Sequence, residues 1–292
     1  MQPLEWERRP DGLRAPAIVC AFKGWNDAGD AASTAVQFVG TSLGATRFAS
    51  IDPEEFYDFQ STRPQVRVDE TGVRDITWPV VEVFEARVPR APRDLVLIVG
   101  HEPSMRWRGF CQLVIDLAEA LGAQLVVSLG ALLADVAHTR PIAVTGVASD
   151  RSLVDRLDLL SSSYEGPTGI VGVLQAQCGK ANLPAASLWA AVPHYIAANT
   201  NPAAALALVR QLEGILDVHL HPDELESASE VFMRQIQQVL ESDEETAAYV
   251  RELERRDTDE DDEDEEIPTG DELAEELQRF LRERRERPDE PD

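Results

Sequence analysis

Residues 17–33 read AIVCAFKGWNDAGDAAS. Six apolar or small residues, Ala17 to Phe22, lead through Lys23 into a Gly-Trp-Asn-Asp-Ala-Gly turn and then into a run of small residues. An apolar run this short, unalternating and bounded by glycine, reads as a strand covered on both faces, and the residues after the turn read as a helix. Loops at the carboxyl ends of strands in an open α/β sheet are where ligands and partners meet the protein. This loop offers Gly24, Asn26, Asp27 and Gly29, together with an indole at Trp25 and a second carboxylate at Asp30.

The same pattern recurs along the chain. Further strands are predicted at Leu95 to Gly100, Gln124 to Leu129, Ile142 to Val147 and Ser187 to Val192. Helices are predicted at Ala28 to Leu43, Arg106 to Leu121, Asp150 to Leu160, Gly169 to Cys178 and Pro202 to Leu216. Alternation at this spacing predicts an α/β fold with a mostly parallel sheet sandwiched by helices. Between Arg47 and Val88 the stretches RFASI, QVRVDETGVRDITWP and VVEVFEARV predict an antiparallel insertion, with Glu70-Thr71-Gly72 as a turn.

Beyond His221 the chain changes character. The core domain is expected at 1–220 and a C-terminal helical hairpin at 221–256, its helices starting at Pro222-Asp223-Glu224 and Asp243. The run DTDEDDEDEE holds nine carboxylates in ten residues, so 257–270 is expected to be a disordered linker. Residues 271–292 follow as an amphipathic helix and tail. There Leu273, Leu277, Phe280 and Leu281 recur at i, i+4, i+7 and i+8 as a docking stripe.

Of the net charge of −26, residues 220–292 carry −19 and the rest only −7. A chain so acidic is not built for nucleic acid or anionic membranes, which are bound by clustered lysine and arginine. Cys20, Cys111 and Cys178 lie in apolar runs without metal-ligand spacing and read as buried reduced thiols, and no targeting segment or membrane span is recognised. The cytoplasm is the expected compartment, and neither a metal nor another cofactor is expected.

The blocks GWNDAGDAAS (24–33), VGHEPSMRW (99–107), SLGALLADVAHTRP (128–141), VTGVASD (144–150), SYEGPTGIVGVL (163–174) and SLWAAVPHYI (187–196) together resemble the actinobacterial branch of the proteasome assembly chaperone 2 family. The resemblance spans nearly the whole chain. It implies a phosphorylase/hydrolase-like α/β sandwich similar to purine nucleoside phosphorylases, a homo-oligomer, with a trimer the first expectation, and proteasome subunits or another protein as partner. The family's proteasome-binding members can end in a hydrophobic-Tyr-any-residue tripeptide, and Asp289-Glu290-Pro291-Asp292 departs from that pattern.

The candidate ligand or partner cleft comprises Gly24, Asn26, Asp27, Gly29, Glu102, Arg106, His138, Arg140, Glu165, Thr168 and Gly169. Asn26 or Asp27 is expected to cap the following helix, with the glycines permitting a tight turn. Thr168 reads as a second N-cap and the better anion cradle. If strand ends converge, Glu102 and Arg106 share a rim with Asp135, His138 and Arg140. No nucleophile motif of the GxSxG, HExxH or CxxC kind is present, so no catalytic residue is assigned. His219 and His221 read as solvated residues flanking a helix. What the resemblance implies is a non-enzymatic assembly or interaction protein related to proteasome assembly chaperones. Its alternative is a small-molecule enzyme of phosphorylase, hydrolase or carboxylate-amine ligase type using the strand-end cleft.

Overall fold

A computed structural model describes residues 3–149, 151–157, 159, 166–196, 200–241 and 243–263. Its elements in chain order are β1 (Leu4–Trp6), β2 (Ala17–Lys23), α1 (Ala31–Ser42), β3 (Thr46–Ile51), β4 (Gln65–Val68), β5 (Arg74–Thr77), β6 (Val81–Ala86) and β7 (Leu95–His101). There follow α2 (Trp107–Leu121), β8 (Leu125–Ala134), β9 (Val144–Ala148), α3 (Arg151–Leu157), α4 (Ile170–Lys180), β10 (Ala185–Pro193), α5 (Pro202–Leu216), α6 (Asp223–Glu241) and α7 (Glu244–Glu263).

Eight strands form one sheet in the order β1-β3-β6-β7-β2-β8-β10-β9, and β4 pairs with β5 apart from it. The central β7, β2, β8 and β10 are parallel neighbours, each an apolar run. Strand β2 shows why. Its odd positions Ala17, Val19 and Ala21 pack with Val36 and Val39 of α1 and Leu208 and Leu212 of α5. Its even positions Ile18, Cys20 and Phe22 pack with Phe110 and Val114 of α2 and Ile170 and Leu174 of α4. Side chains alternate across a strand, so covering both faces requires every position to be apolar. The result is the helix-sandwiched α/β sheet expected from the alternation.

Several details differ from the sequence reading. Strand β9 is antiparallel to β10, because the segment from Ala134 to Val144 has no crossover helix and a parallel return needs one. Strand β8 runs five residues past its expected end, since β10 pairs with it from Val126 through Ala134. Within the Arg47 to Val88 insertion, β3 and β6 join the main sheet and only β4 and β5 form a projecting hairpin. Helix α7 continues through the first seven residues of the acidic run, to Glu263, because extending a formed helix costs far less than nucleating one. The docking stripe Leu273, Leu277, Phe280 and Leu281 lies outside the described residues, as does Glu165.

Helices α6 and α7 lie across the carboxyl ends of β8 and β10. Phe232, Ile236 and Leu240 of α6 and Val250 of α7 pack on Ile196 and Tyr195. Cys20, Cys111 and Cys178 are all buried and unpaired, and burial pushes the Cys20 thiol up to about 12. Among the described residues no helix is long and apolar enough to cross a membrane.

Candidate functional site

Strand β2 ends in Lys23, whose carbonyl accepts from the Glu102 N–H at 2.8 Å, so the loops after β2 and β7 leave the sheet side by side. Gly24, with φ of +132°, lies directly against Glu102: a Cβ at Gly24 would sit 3.5 Å from the Glu102 Cβ. Asn26 is then carried inward, 1% exposed, and its Nδ2 donates to Glu102 Oε1 at 2.6 Å. The same Glu102 oxygen accepts from the backbone N–H of Ile170, the first residue of α4, at 2.9 Å. Behind it Gly169 allows the closest approach in the site, since a Cβ there would fall 2.1 Å from Asn26 Oδ1. One carboxylate oxygen therefore ties the loop after β2, the loop after β7 and the start of α4 together.

This arrangement corrects the reading of Thr168. The N-cap of α4 is Gly169, without a side-chain cap of its own, and Thr168 is exposed one residue earlier. The positive end of the helix is already met by Glu102, a carboxylate of the protein itself, so the anion cradle expected at Thr168 is filled from within.

Asp27 caps α1. Its Oδ1 accepts from Ala32 N at 2.7 Å and Ser33 N at 3.2 Å, reaching five and six residues ahead because Ala28–Asp30 form a 3₁₀ turn first. That turn places Gly29 at φ +60° and Asp30 at φ +47°, both left-handed. Gly29 also accepts from Asn201 N at 2.8 Å, which anchors the loop to the start of α5. Asp27 is 5% exposed. Burial raises its pKa, opposed by hydrogen bonds from Ser33 and Ala32. Its backbone bridges Ala131, and Asn26 O accepts from Ala131 N at 2.8 Å, so the loop also continues the sheet beside β8.

The remaining candidates do not share one rim. Arg106, left-handed at φ +55° before α2, points to Glu55 of the insertion at 2.7 Å and is mostly exposed. His138 is buried under the C-terminal helices, where its Nδ1 and backbone N both lie within 2.8 Å of the Tyr195 hydroxyl. Burial lowers its pKa, opposed by Gln237 and Glu254. Around it His194 pairs with Asp135 at 3.1 Å and stacks edge-on against Tyr195 and Tyr249, while Thr139 donates to Glu254 of α7 at 2.5 Å. Arg140 lies with Thr139, Glu254 and Arg255 along an open surface groove. This second group clamps α7 to the sheet. His219 and His221 sit with ring centroids 6.4 Å apart, and among the described residues no three His, Cys, Asp or Glu are grouped to hold a metal ion.

Two features go beyond the sequence reading, which names the Trp25 indole but neither its exposure nor the tyrosines of the clamp. Trp25 is 67% exposed although its neighbours Asn26 and Asp27 are buried, and Met105 on the adjoining loop is 42% exposed. Tyr195 and Tyr249 organise the clamp from positions whose aromatic character alone gives no such signal.

A sequence model of the PAC2 family matches residues 21–240. Among solved structures, a PAC2 family protein from Streptomyces avermitilis is 51% identical with a TM-score of 0.76, covering 80% of this chain and 99% of that one. A proteasome-assembly chaperone homologue from Mycobacterium tuberculosis is 43% identical with a TM-score of 0.73, again over 80% and 99%. An archaeal proteasome activator from Pyrococcus furiosus shares the fold at a TM-score of 0.66 and 16% identity, over 81% and 97%. No match is found among curated proteins.

Proposed function

The chain belongs to the PAC2 family, and on that premise we propose that it is a non-enzymatic assembly protein that presents the carboxyl end of its sheet to a protein partner. One observation carries this reading. In the first loop the groups suited to chemistry are turned inward, Asn26 Nδ2 donating to Glu102 with its Oδ1 buried and without a hydrogen-bond partner among the described residues, and Asp27 capping the start of α1, while the indole of Trp25 is left 67% exposed. A substrate site requires the reverse, with polar groups facing a concave space and apolar groups lining it. Tryptophan is the residue most often found to dominate protein interfaces.

Its relatives are proteasome assembly chaperone-like proteins, which makes proteasome subunits the partner to test first. The chain also self-associates in this reading, and the segment after Glu263 serves as a tether whose Leu273, Leu277, Phe280 and Leu281 stripe docks on the assembly. The test is purification of the tagged chain from its native host, intact and lacking residues 257–292, with the captured proteins identified. Proteasome subunits recovered with the intact chain, and lost when Trp25 is replaced by Ala, are the expected result. Recovery of no proteasome subunit by the intact chain, in cells that make them, overturns the reading.

A further inference from the structure

The hairpin of β4 and β5 projects from the insertion, and all eight of its strand residues are exposed. Its register sets Val66 opposite Ile76 and Val68 opposite Arg74, with Gln65 opposite Thr77 and Arg67 opposite Asp75. Residues opposite one another, and residues two apart, share a face. One face therefore carries Val66, Val68 and Ile76, with Arg74 beside them opposite Val68, and runs on towards Trp78. The other is wholly polar. The apolar side chains are exposed by 60, 62, 52 and 46% respectively.

The hairpin is a shaped element. At its tip Asp69 Oδ1 accepts from Thr71 N at 2.8 Å and Val73 N at 2.9 Å. At its base Trp78 meets Phe59 edge-on with centroids 5.0 Å apart. Alternation of apolar and polar residues is the pattern of a strand with one face buried, and a lone two-stranded hairpin is marginal in water. The pattern calls for a cover.

We propose that this face is covered by the same face of neighbouring copies of the chain. The proposal rests on the self-association reading above and says where it happens. Charge selects the occupant. Residues 63–78 carry Arg63, Arg67 and Arg74 against Asp69, Glu70 and Asp75, a net of zero within a chain of net −26. Copies of the chain repel one another chiefly through residues 220–292, which carry −19, and a hairpin with no net charge lets them approach without adding to that repulsion. A strongly basic or strongly acidic partner finds no opposite surplus there.

Area agrees. The exposed parts of the four side chains amount to roughly 400 Å² per copy, within the range of the largest apolar patch on an ordinary monomer. Doubled on contact and completed by the open polar edges of β4 and β5, it reaches the ~1,000 Å² that a specific interface needs.

The experiment compares the full chain with a variant carrying Val66→Asp and Val68→Asp, by sedimentation velocity across a micromolar concentration series. Both positions are exposed in the single chain, so the variant should keep the secondary structure of the parent by circular dichroism, while its thermal midpoint loses the concentration dependence that association confers. The intact chain should sediment as an oligomer, and the variant as a monomer whose dissociation constant is raised at least ~100-fold, the factor expected when two buried apolar anchors are lost. A second variant with Val66→Lys and Val68→Lys, mixed with the first, should restore the oligomer. An intact chain that is monomeric removes self-association altogether. An oligomer unchanged by the aspartates leaves self-association standing and overturns this face as its site. Failure of the mixture to restore it, with loss of a different protein's binding, assigns the face to that protein and overturns the proposal as well.

Discussion

Replacing Glu102 tests whether the strand-end loops are held by structure or kept for a ligand. In Glu102→Ala two donors lose their acceptor, Asn26 Nδ2 at 2.6 Å and Ile170 N at 2.9 Å. Hydrogen bonds to a charged group contribute about 1.5–3 kcal/mol each. Ile170 is 0% exposed, so the N–H that begins α4 is also left short of a partner, and each bond is counted at the low end of that range. Asn26 is 1% exposed and cannot be rehydrated, so the cost of leaving its amide unsatisfied is borne in full. The expected destabilisation is about 3–4 kcal/mol, a large part of the ~5–15 kcal/mol that holds a typical domain. Glu102→Gln keeps an acceptor oxygen in place and loses only the attraction between charge and helix dipole, about 1 kcal/mol. Urea denaturation reads both from the midpoint at unchanged slope. A double-mutant cycle with Asn26→Ala should return a coupling of about 1–2 kcal/mol. An alanine variant no less stable than the glutamine one, or a coupling near zero, would refute the reasoning and return Glu102 to the list of groups kept for a ligand.

Gly29→Val should destabilise by about 2 kcal/mol, because a β-branched residue is forced to a left-handed φ of +60°; a fully stable variant that had lost its partner would place Gly29 in a binding site instead. Asp27→Asn changes the pH dependence of stability. With its folded pKa raised by burial, Asp27 binds a proton more tightly in the folded than in the unfolded chain. Its contribution therefore declines as pH rises from the unfolded value of about 3.9 through the raised folded value, and is level above. The stability of the parent minus that of the variant should fall over that window in chemical denaturation, and a rise would contradict it. For the tail, Leu277→Asp with Phe280→Asp should abolish partner capture if the stripe docks. Capture through that apolar stripe should change little between ~0.05 and ~0.5 M salt, whereas steering by the acidic run should weaken steeply.

What could be read from the sequence depended on whether the signal was local. Strand β2 and its neighbours were legible because burial on both faces leaves an apolar residue at every position. Asp27 was legible as a cap because its partners lie within seven residues. The role of Glu102 was not, since its partners are 76 and 68 positions away and nothing near it announces them. Thr168 misled for the same reason: it stands where a local cap would, but the acceptor for the first N–H of α4 is Glu102, in the loop after β7. The expected common rim of Glu102, Arg106, His138 and Arg140 assumed that strand ends converge, whereas α6 and α7 settle over β8 and β10 and take His138 with them. The direction of β9 turned on a missing crossover helix, which composition did not reveal.

The clamp around His138 bears on the order in which the molecule is made. Thr139 finds Glu254 across 115 positions of chain, and His194 finds Tyr249 across more than fifty. A chain emerging from the ribosome completes its sheet with β10 long before α7 exists, so the ends of β8 and β10 stand uncovered through that interval. Contacts of such long range form late and lengthen folding. Closure of this end of the core is thus deferred until α6 and α7 have been made, and a chain cut short before Phe232 leaves Ile196 without the apolar side chains that cover it.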